Sequence, residues 1–206
     1  MEYIDLTQTI KHQMPVFPGE KTPSIILDLL PEDAGYVTHR VESNMHTGTH
    51  IDAPFHAKAD TLTIDSYPIG KFAGKATVVD VRGLSTIKMR EEWKPLFSQH
   101  KIVLFCTGYS KMWKTESYYY DYPEFDDEIA EALVLSGVSI AGFDSPSPDK
   151  SPFGFHNIFL RKSRFLVENL TNLEQLIGKE NCIFTAFPLK IEAEASLIRA
   201  VAMVEK

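Results

Sequence analysis

The apolar positions fall into short β-rich runs separated by stretches with helical spacing. Ser24 to Leu30, Ala76 to Val81, Ile102 to Phe105, Val138 to Phe143 and Ile183 to Ala186 combine Val, Ile and Phe with flanking Gly, Pro or polar residues, which predicts strands. Lys88 to Phe97 places Met89, Trp93 and Leu96 on one helical face, and Asp126 to Leu135 is amphipathic and stops near Gly137. Thr171 to Ile177 reads as a third helix, with Thr171 as N-cap, Glu174 completing a capping box and Gly178 closing the end. Strands alternating with helices indicate an α/β domain. Some early strands have no helix between them, so the pattern predicts a mixed rather than a purely parallel sheet. Tyr109 to Phe125 is rich in aromatic rings and poor in aliphatic ones, and supports two readings. The rings either pack a surface loop onto the domain or form an aromatic wall for a ligand or an interface.

Composition narrows the class. The chain has 206 residues, 44% hydrophobic and 24% charged, which suits one folded domain over residues 1–206 and excludes general disorder. Its 28 acidic against 21 basic residues give a formal charge of -7, which argues against a nucleic-acid binder. No apolar run approaches the roughly 18 residues that suggest a membrane span. The N-terminal residues lack the pattern of a secretory leader, and the two cysteines, Cys106 and Cys182, read as separate buried thiols. The expected location is therefore the cytoplasm.

The seven histidines change the picture, because three lie between His46 and His56. His46, His50, Asp52 and His56 all occupy even positions, so in an extended chain they share a face opposite Ile51, Ala53 and Phe55. A straight strand would hold His46 and His50 about 13 Å apart, so one ion can meet both only if the chain bends, and Gly48 permits the bend. His50 and Asp52, about 7 Å apart on one face, form a ready pair for a single ion. Three imidazoles and a carboxylate suit Zn²⁺, and further carboxylates move the preference towards Mn²⁺ or Fe²⁺. His156 and Glu168 are the later candidates. On one helix they would sit about 120° apart and about 18 Å along the axis, so a shared site needs a helix around His156, a break near Arg161 to Arg164 and an extended segment ending at Glu168.

His46-x-Gly-Thr-His50-x-Asp52-x-Pro-x-His56 resembles the signature of the cyclase family of metal-dependent hydrolases, which includes bacterial formamidases and isatin hydrolases. Further similarity lies in Pro15-Val-Phe-Pro-Gly, Ile69-Gly-Lys-Phe-Ala-Gly-Lys-Ala, Thr107-Gly-Tyr, Gly142-Phe-Asp-Ser-Pro-Ser, His156 with Glu168, and Ile198-Arg-Ala-Val. The resemblance implies a compact α/β domain with a mixed, partly barrel-like sheet flanked by helices, assembled as a homodimer or higher oligomer. It implies one ion on His46, His50 and Asp52, a second shared with His156 and Glu168, and His56 as proton donor and acceptor. Phe17 stands where formamidases often place a substrate-contacting Trp, and Asn157 follows His156 where they tend to carry a second histidine.

The expected activity is hydrolysis of a small, aromatic amide, formamide or lactam by metal-activated water. The cofactor is one or two Zn²⁺ ions, with Mn²⁺ as the alternative. Neither nucleic acid nor membrane is an expected partner. Three rivals stand beside this reading: an isatin-type or other cyclic amide or lactone hydrolase, a non-catalytic metal- or ligand-binding protein, and a thiol hydrolase using Cys106. The last lacks a base near the thiol in the sequence.

Overall fold

The computed structural model describes residues 1–28, 35–161 and 163–205. Its strands are β1 (Glu2–Asp5), β2 (Ser24–Leu27), β3 (His39–Glu42), β4 (His50–Asp52), β5 (Ala73–Asp80), β6 (Thr86–Ile87), β7 (Ile102–Cys106), β8 (Glu124–Phe125), β9 (Ile140–Phe143), β10 (Phe165–Glu168), β11 (Cys182–Thr185), β12 (Ala195–Leu197) and β13 (Val201–Val204). The helices are α1 (Lys94–Gln99), α2 (Asp127–Leu135) and α3 (Gly154–Phe159). Nine strands form one sheet in the order β1-β13-β11-β5-β7-β9-β10-β4-β12, curled into a half-barrel. The four central strands β5, β7, β9 and β10 run parallel, and the flanking pairs are antiparallel. The mixed sheet expected from the strand and helix pattern is therefore present.

Strand periodicity divides the core into two layers. On β7, Ile102, Leu104 and Cys106 join the cluster on one face, and Val103 and Phe105 join the cluster on the other. The first layer is closed by Phe72, Leu173, Leu176 and Phe184. The second is covered by the three helices, through Phe97, then Ile129, Ala130 and Leu133, then Phe155 and Phe159. Gly142 on β9 lets the layers close: a β-carbon there would lie 2.5 Å from Leu104 Cδ2 and 2.9 Å from Leu170 Cδ1.

Several elements differ from expectation. Lys88 to Phe97 is not one helix. A 3₁₀ turn over Glu91–Trp93 leads into α1, with Pro95 in its first turn, where the missing N–H costs nothing. Thr171 to Ile177 is a single 3₁₀ turn, Leu173–Leu176, and no capping box forms. Thr171 N instead donates to Leu6 O at 3.0 Å, and Asn172 occupies the preceding position with φ 59° and no side-chain cap. The tertiary contact with the segment after β1 outweighs the local signal. The strand expected from Ser24 ends at Leu27, Asp28 is outside it, and the last two expected positions, Leu29 and Leu30, lie outside the described residues. Ala132 to Phe143 divides, as expected, into the end of α2 and buried β9. Among the described residues no helix is long and apolar enough to cross a membrane.

Candidate metal centre

Strand register builds the site. His50 and Asp52 are two residues apart on β4, so they project to the same face, while Ile51 between them enters the core cluster on the other. On the neighbouring antiparallel strand, Glu168 stands directly opposite His50 and Leu166 opposite Asp52. Direct cross-strand partners point the same way, and His50 Nε2 lies 3.4 Å from Glu168 Oε2 and 3.5 Å from Asp52 Oδ1. His46 reaches the group because the chain turns back at Gly48, whose φ of 67° favours glycine. Its Nδ1 sits 3.0 Å from Asp52 Oδ1. Pro54 opens a 3₁₀ turn that returns His56 to the cluster, its ring 4.3 Å from that of His46. His156 comes from α3, with Nε2 3.3 Å from Glu168 Oε1. The helix, the break and the extended segment ending at Glu168 are all seen, and they bring His156 and Glu168 into contact.

Each of three histidines is held by its outer nitrogen. His50 Nδ1 donates to Gly48 O at 2.9 Å, His156 Nδ1 to Asp149 Oδ1 at 2.6 Å, and His46 Nε2 to Glu194 Oε1 at 3.2 Å. These bonds fix the tautomers and leave the inner nitrogens as lone pairs aimed at carboxylate oxygens. Lone pair facing lone pair needs a cation between them. In a tetrahedral zinc site with bonds of 2.0–2.1 Å, neighbouring donor atoms are roughly 3.4 Å apart. The inner contacts above, 3.0 to 3.5 Å, bracket that separation. His50 Nε2, both Asp52 oxygens and Glu168 Oε1 are buried without a hydrogen-bond partner among the described residues. The residues therefore fit a divalent ion. Two groups bring their donor atoms within 4.8 Å of one another: His50, Asp52 and Glu168, and His46, Asp52 and His56. The second places His56 among ion-capable residues, a position its expected proton-transfer role did not require.

Protons satisfy the same need in the absence of an ion. Burial opposes charge on His46, but Asp52 beside it outweighs burial and raises its pKa to about 9. Burial likewise opposes charge on His156, and the Asp149 and Glu168 carboxylates beside it raise its pKa to about 10. Burial acts against ionised Asp52, but His46 and His50 hold its carboxyl well below the usual range. His56 behaves differently. It is exposed on the cavity side, and the protein packed around the rest of the ring lowers its pKa; Asp52 opposes this and His46 reinforces it.

A cavity of about 450 Å³ opens over these groups. Phe17, Tyr119 and Phe153 supply its aromatic rings, with Glu20, Ser147, Asn157 and Asn169 among its polar lining. Phe17, the expected substrate contact, lines this cavity. The Tyr109 to Phe125 segment serves both of its readings. Tyr118 is fully buried and donates to Asn169 Oδ1 at 2.9 Å, while Asn169 Nδ2 donates to Gly48 O at 3.0 Å. Tyr119 lines the cavity, packs edge-on against Phe17 at 6.2 Å and donates to Pro15 O at 3.2 Å. Cys106 is wholly buried and burial pushes its thiol up to about 12, which leaves no thiolate to act as a nucleophile.

The chain matches the family model described as "Putative cyclase" over residues 4–150. It belongs to the cyclase family. Its cyclase-family relatives include proteins named kynurenine formamidase from Bacillus cereus, 28% identical, and from Bacillus cytotoxicus, 29% identical. Each alignment spans 97% of this chain and 96% of the relative. The fold matches an isatin hydrolase bound to the product analogue thioisatinate, with a TM-score of 0.87 and 21% identity over 100% of this chain and 93% of that one. It also matches a "potential metal-dependent hydrolase with cyclase activity", with a TM-score of 0.74 and 20% identity over 98% of both chains.

Sequence reasoning missed Asp149, Glu194, Asn169, Glu20 and Phe153. Asp149 lies seven residues before His156, and a search for carboxylates near candidate ligands could have found it. Glu194 is 148 positions from His46, and nothing local marks it.

Proposed function

We propose that this cyclase-family chain is a metal-dependent hydrolase of small aromatic amides, with aryl formamides of the N-formylkynurenine type as the first substrate class. One observation carries the reading: buried, unpaired nitrogen and oxygen donors converge on the floor of an aromatic-walled cavity. The names of the Bacillus relatives support the substrate class. His46, His50, Asp52, His156 and Glu168 would hold one or two ions, with Zn²⁺ preferred for the nitrogen-rich donors and Mn²⁺ the alternative for the carboxylate-rich set. When bound, such an ion lowers the pKa of a coordinated water and polarises a carbonyl oxygen.

The chain's own groups supply the rest. His56 is the one site histidine with its pKa lowered, so it is neutral near pH 7 and able to accept a proton from the attacking water. The imidazolium then donates to the departing nitrogen, which leaves as a neutral amine. Phe17, backed by Tyr119, holds the aromatic ring and excludes water from one side of the scissile carbonyl. Cyclic amides of the isatin type need the same steps, except that the nitrogen stays attached to the product.

The test is metal analysis of the purified protein together with assays on N-formylkynurenine and isatin, before and after chelation. Hydrolysis lost on chelation and restored by Zn²⁺ or Mn²⁺ is expected. Asp52→Asn should abolish ion binding and turnover together. His56→Ala should keep its ion and lose roughly 10²-fold or more in turnover. Loss of the ion in His56→Ala would make His56 a ligand, and full ion occupancy without hydrolysis of any amide or lactone would favour a binding protein.

A further inference from the structure

Phe153 adopts φ 60° and ψ 49°, the left-handed region, without being glycine. For a bulky residue this conformation is costly and persists only where surrounding structure enforces it. Here three hydrogen bonds to its backbone, two from the main chain and one from a side chain, enforce it. Phe153 N donates to Lys150 O at 2.7 Å, and Phe153 O accepts from Asn157 N at 3.0 Å and from Asn157 Nδ2 at 2.8 Å.

The strain is not offset by burial of the ring. Phe153 is 40% exposed, while Phe155 and Phe159 fill the core beneath α3 completely. The ring meets His156 edge-on at 6.0 Å and lines the cavity that also holds Phe17 and Tyr119. Those two rings are braced against each other, whereas Phe153 remains substantially uncovered. A strained backbone that keeps a large apolar ring half-open at a cavity, next to an ion-capable histidine, implies a ligand that covers it.

We infer that Phe153 is a specificity-determining residue, a second aromatic wall of the cavity that Phe17 also lines, which grips the planar ring of an aryl substrate. Asn157 acts through it as a positioning residue, holding the backbone that presents the ring. This rests on the proposed reading only for the substrate's aromatic character, and binding tests it without turnover.

The experiment uses the Zn²⁺-loaded protein, its Phe153→Gly, Phe153→Leu and Phe153→Tyr variants, and L-kynurenine as the aromatic amine probe in calorimetric titration. Melting temperature and kcat/KM for N-formylkynurenine are measured in parallel. Phe153→Gly should melt at or above the wild-type temperature, because glycine adopts the same backbone without strain. Its affinity for kynurenine should fall about 10-fold, with a matching rise in KM. Phe153→Leu should lose a similar factor and Phe153→Tyr should restore it. Wild-type affinity in Phe153→Gly or Phe153→Leu, or no kynurenine binding by the wild type, overturns the inference. A lower melting temperature for Phe153→Gly with unchanged affinity assigns the ring to packing and overturns it too. Ring-dependent binding without hydrolysis by the wild type would sink the hydrolase reading and leave this inference standing.

Discussion

Gly48→Ala tests the bend on which the site depends. An alanine at φ 67° bears the left-handed penalty of an L-residue, about 1–2 kcal/mol. Its β-carbon would also lie 3.1 Å from Ile10 Cγ1, so Ile10 must shift. Gly178 provides the control. It has φ 73°, and a β-carbon added there would meet nothing within 4 Å, so Gly178→Ala isolates the backbone penalty. For a domain of this size 1 kcal/mol corresponds to about 2–4 °C of melting temperature. Gly178→Ala should therefore lose about 2–8 °C, and Gly48→Ala more. Only Gly48→Ala should also weaken the ion, because the Gly48 carbonyl accepts from both His50 Nδ1 and Asn169 Nδ2. Differential scanning calorimetry, with Zn²⁺ affinity measured by competition against a chelating dye, reads both effects. Equal melting losses with unchanged Zn²⁺ affinity in both variants would refute the argument that the turn at Gly48 sets the site.

Asp149→Asn should leave the fold intact and weaken Zn²⁺ binding roughly 10- to 100-fold, because His156 loses the carboxylate that fixes its ring; competition titration checks this. Gly142→Ala should destabilise the chain without touching any donor, since its methyl meets Leu104 and Leu170, and a chemical-denaturation midpoint below wild type is the expected outcome. Stability should respond to pH with opposite slopes in the chelated and loaded protein. In the chelated protein His46 and His156 have folded pKa values of about 9 and about 10, above the unfolded value. Their contribution is complete below about pH 6.5 and is lost as pH rises through about 9 to 10. In the loaded protein the same nitrogens must be deprotonated, so the extra stability from the ion grows as pH rises. Melting curves from about pH 6 to 10, with and without chelator, decide the point.

Much of the site was legible in the sequence because its chemistry is local. Four donors at even positions around a glycine and a proline need a strand with a bend on either side, which β4, the Gly48 turn and the 3₁₀ turn at Pro54 supply. His156 and Glu168 were legible only as a condition, a helix followed by an extended segment, which α3 and β10 meet. Glu194, which clasps His46, and Asn169, which holds the Gly48 carbonyl, were hidden, since they reach the site through sheet pairing that no local spacing reveals. The same limit explains the element that failed. Thr171 carries every local sign of an N-cap, but its N–H is taken by Leu6 O, from near the start of the chain. Short strands such as β12 carry too few residues for periodicity to mark them.

That strand also carries the clasp on one of the candidate donors. β12 is three residues long and forms one edge of the sheet, paired on a single side to β4. Glu194, which clasps His46, immediately precedes it, and the Glu194 carbonyl accepts from Ala53 N at 2.9 Å. Proteins open locally as well as globally, and local openings cost less than global unfolding. When β12 peels back, His46 loses its clasp while the other donors stay seated on β4, β10 and α3. If an ion leaves through local opening of this short strand rather than through unfolding of the whole domain, amide exchange at Ala195–Leu197 should keep time with its release.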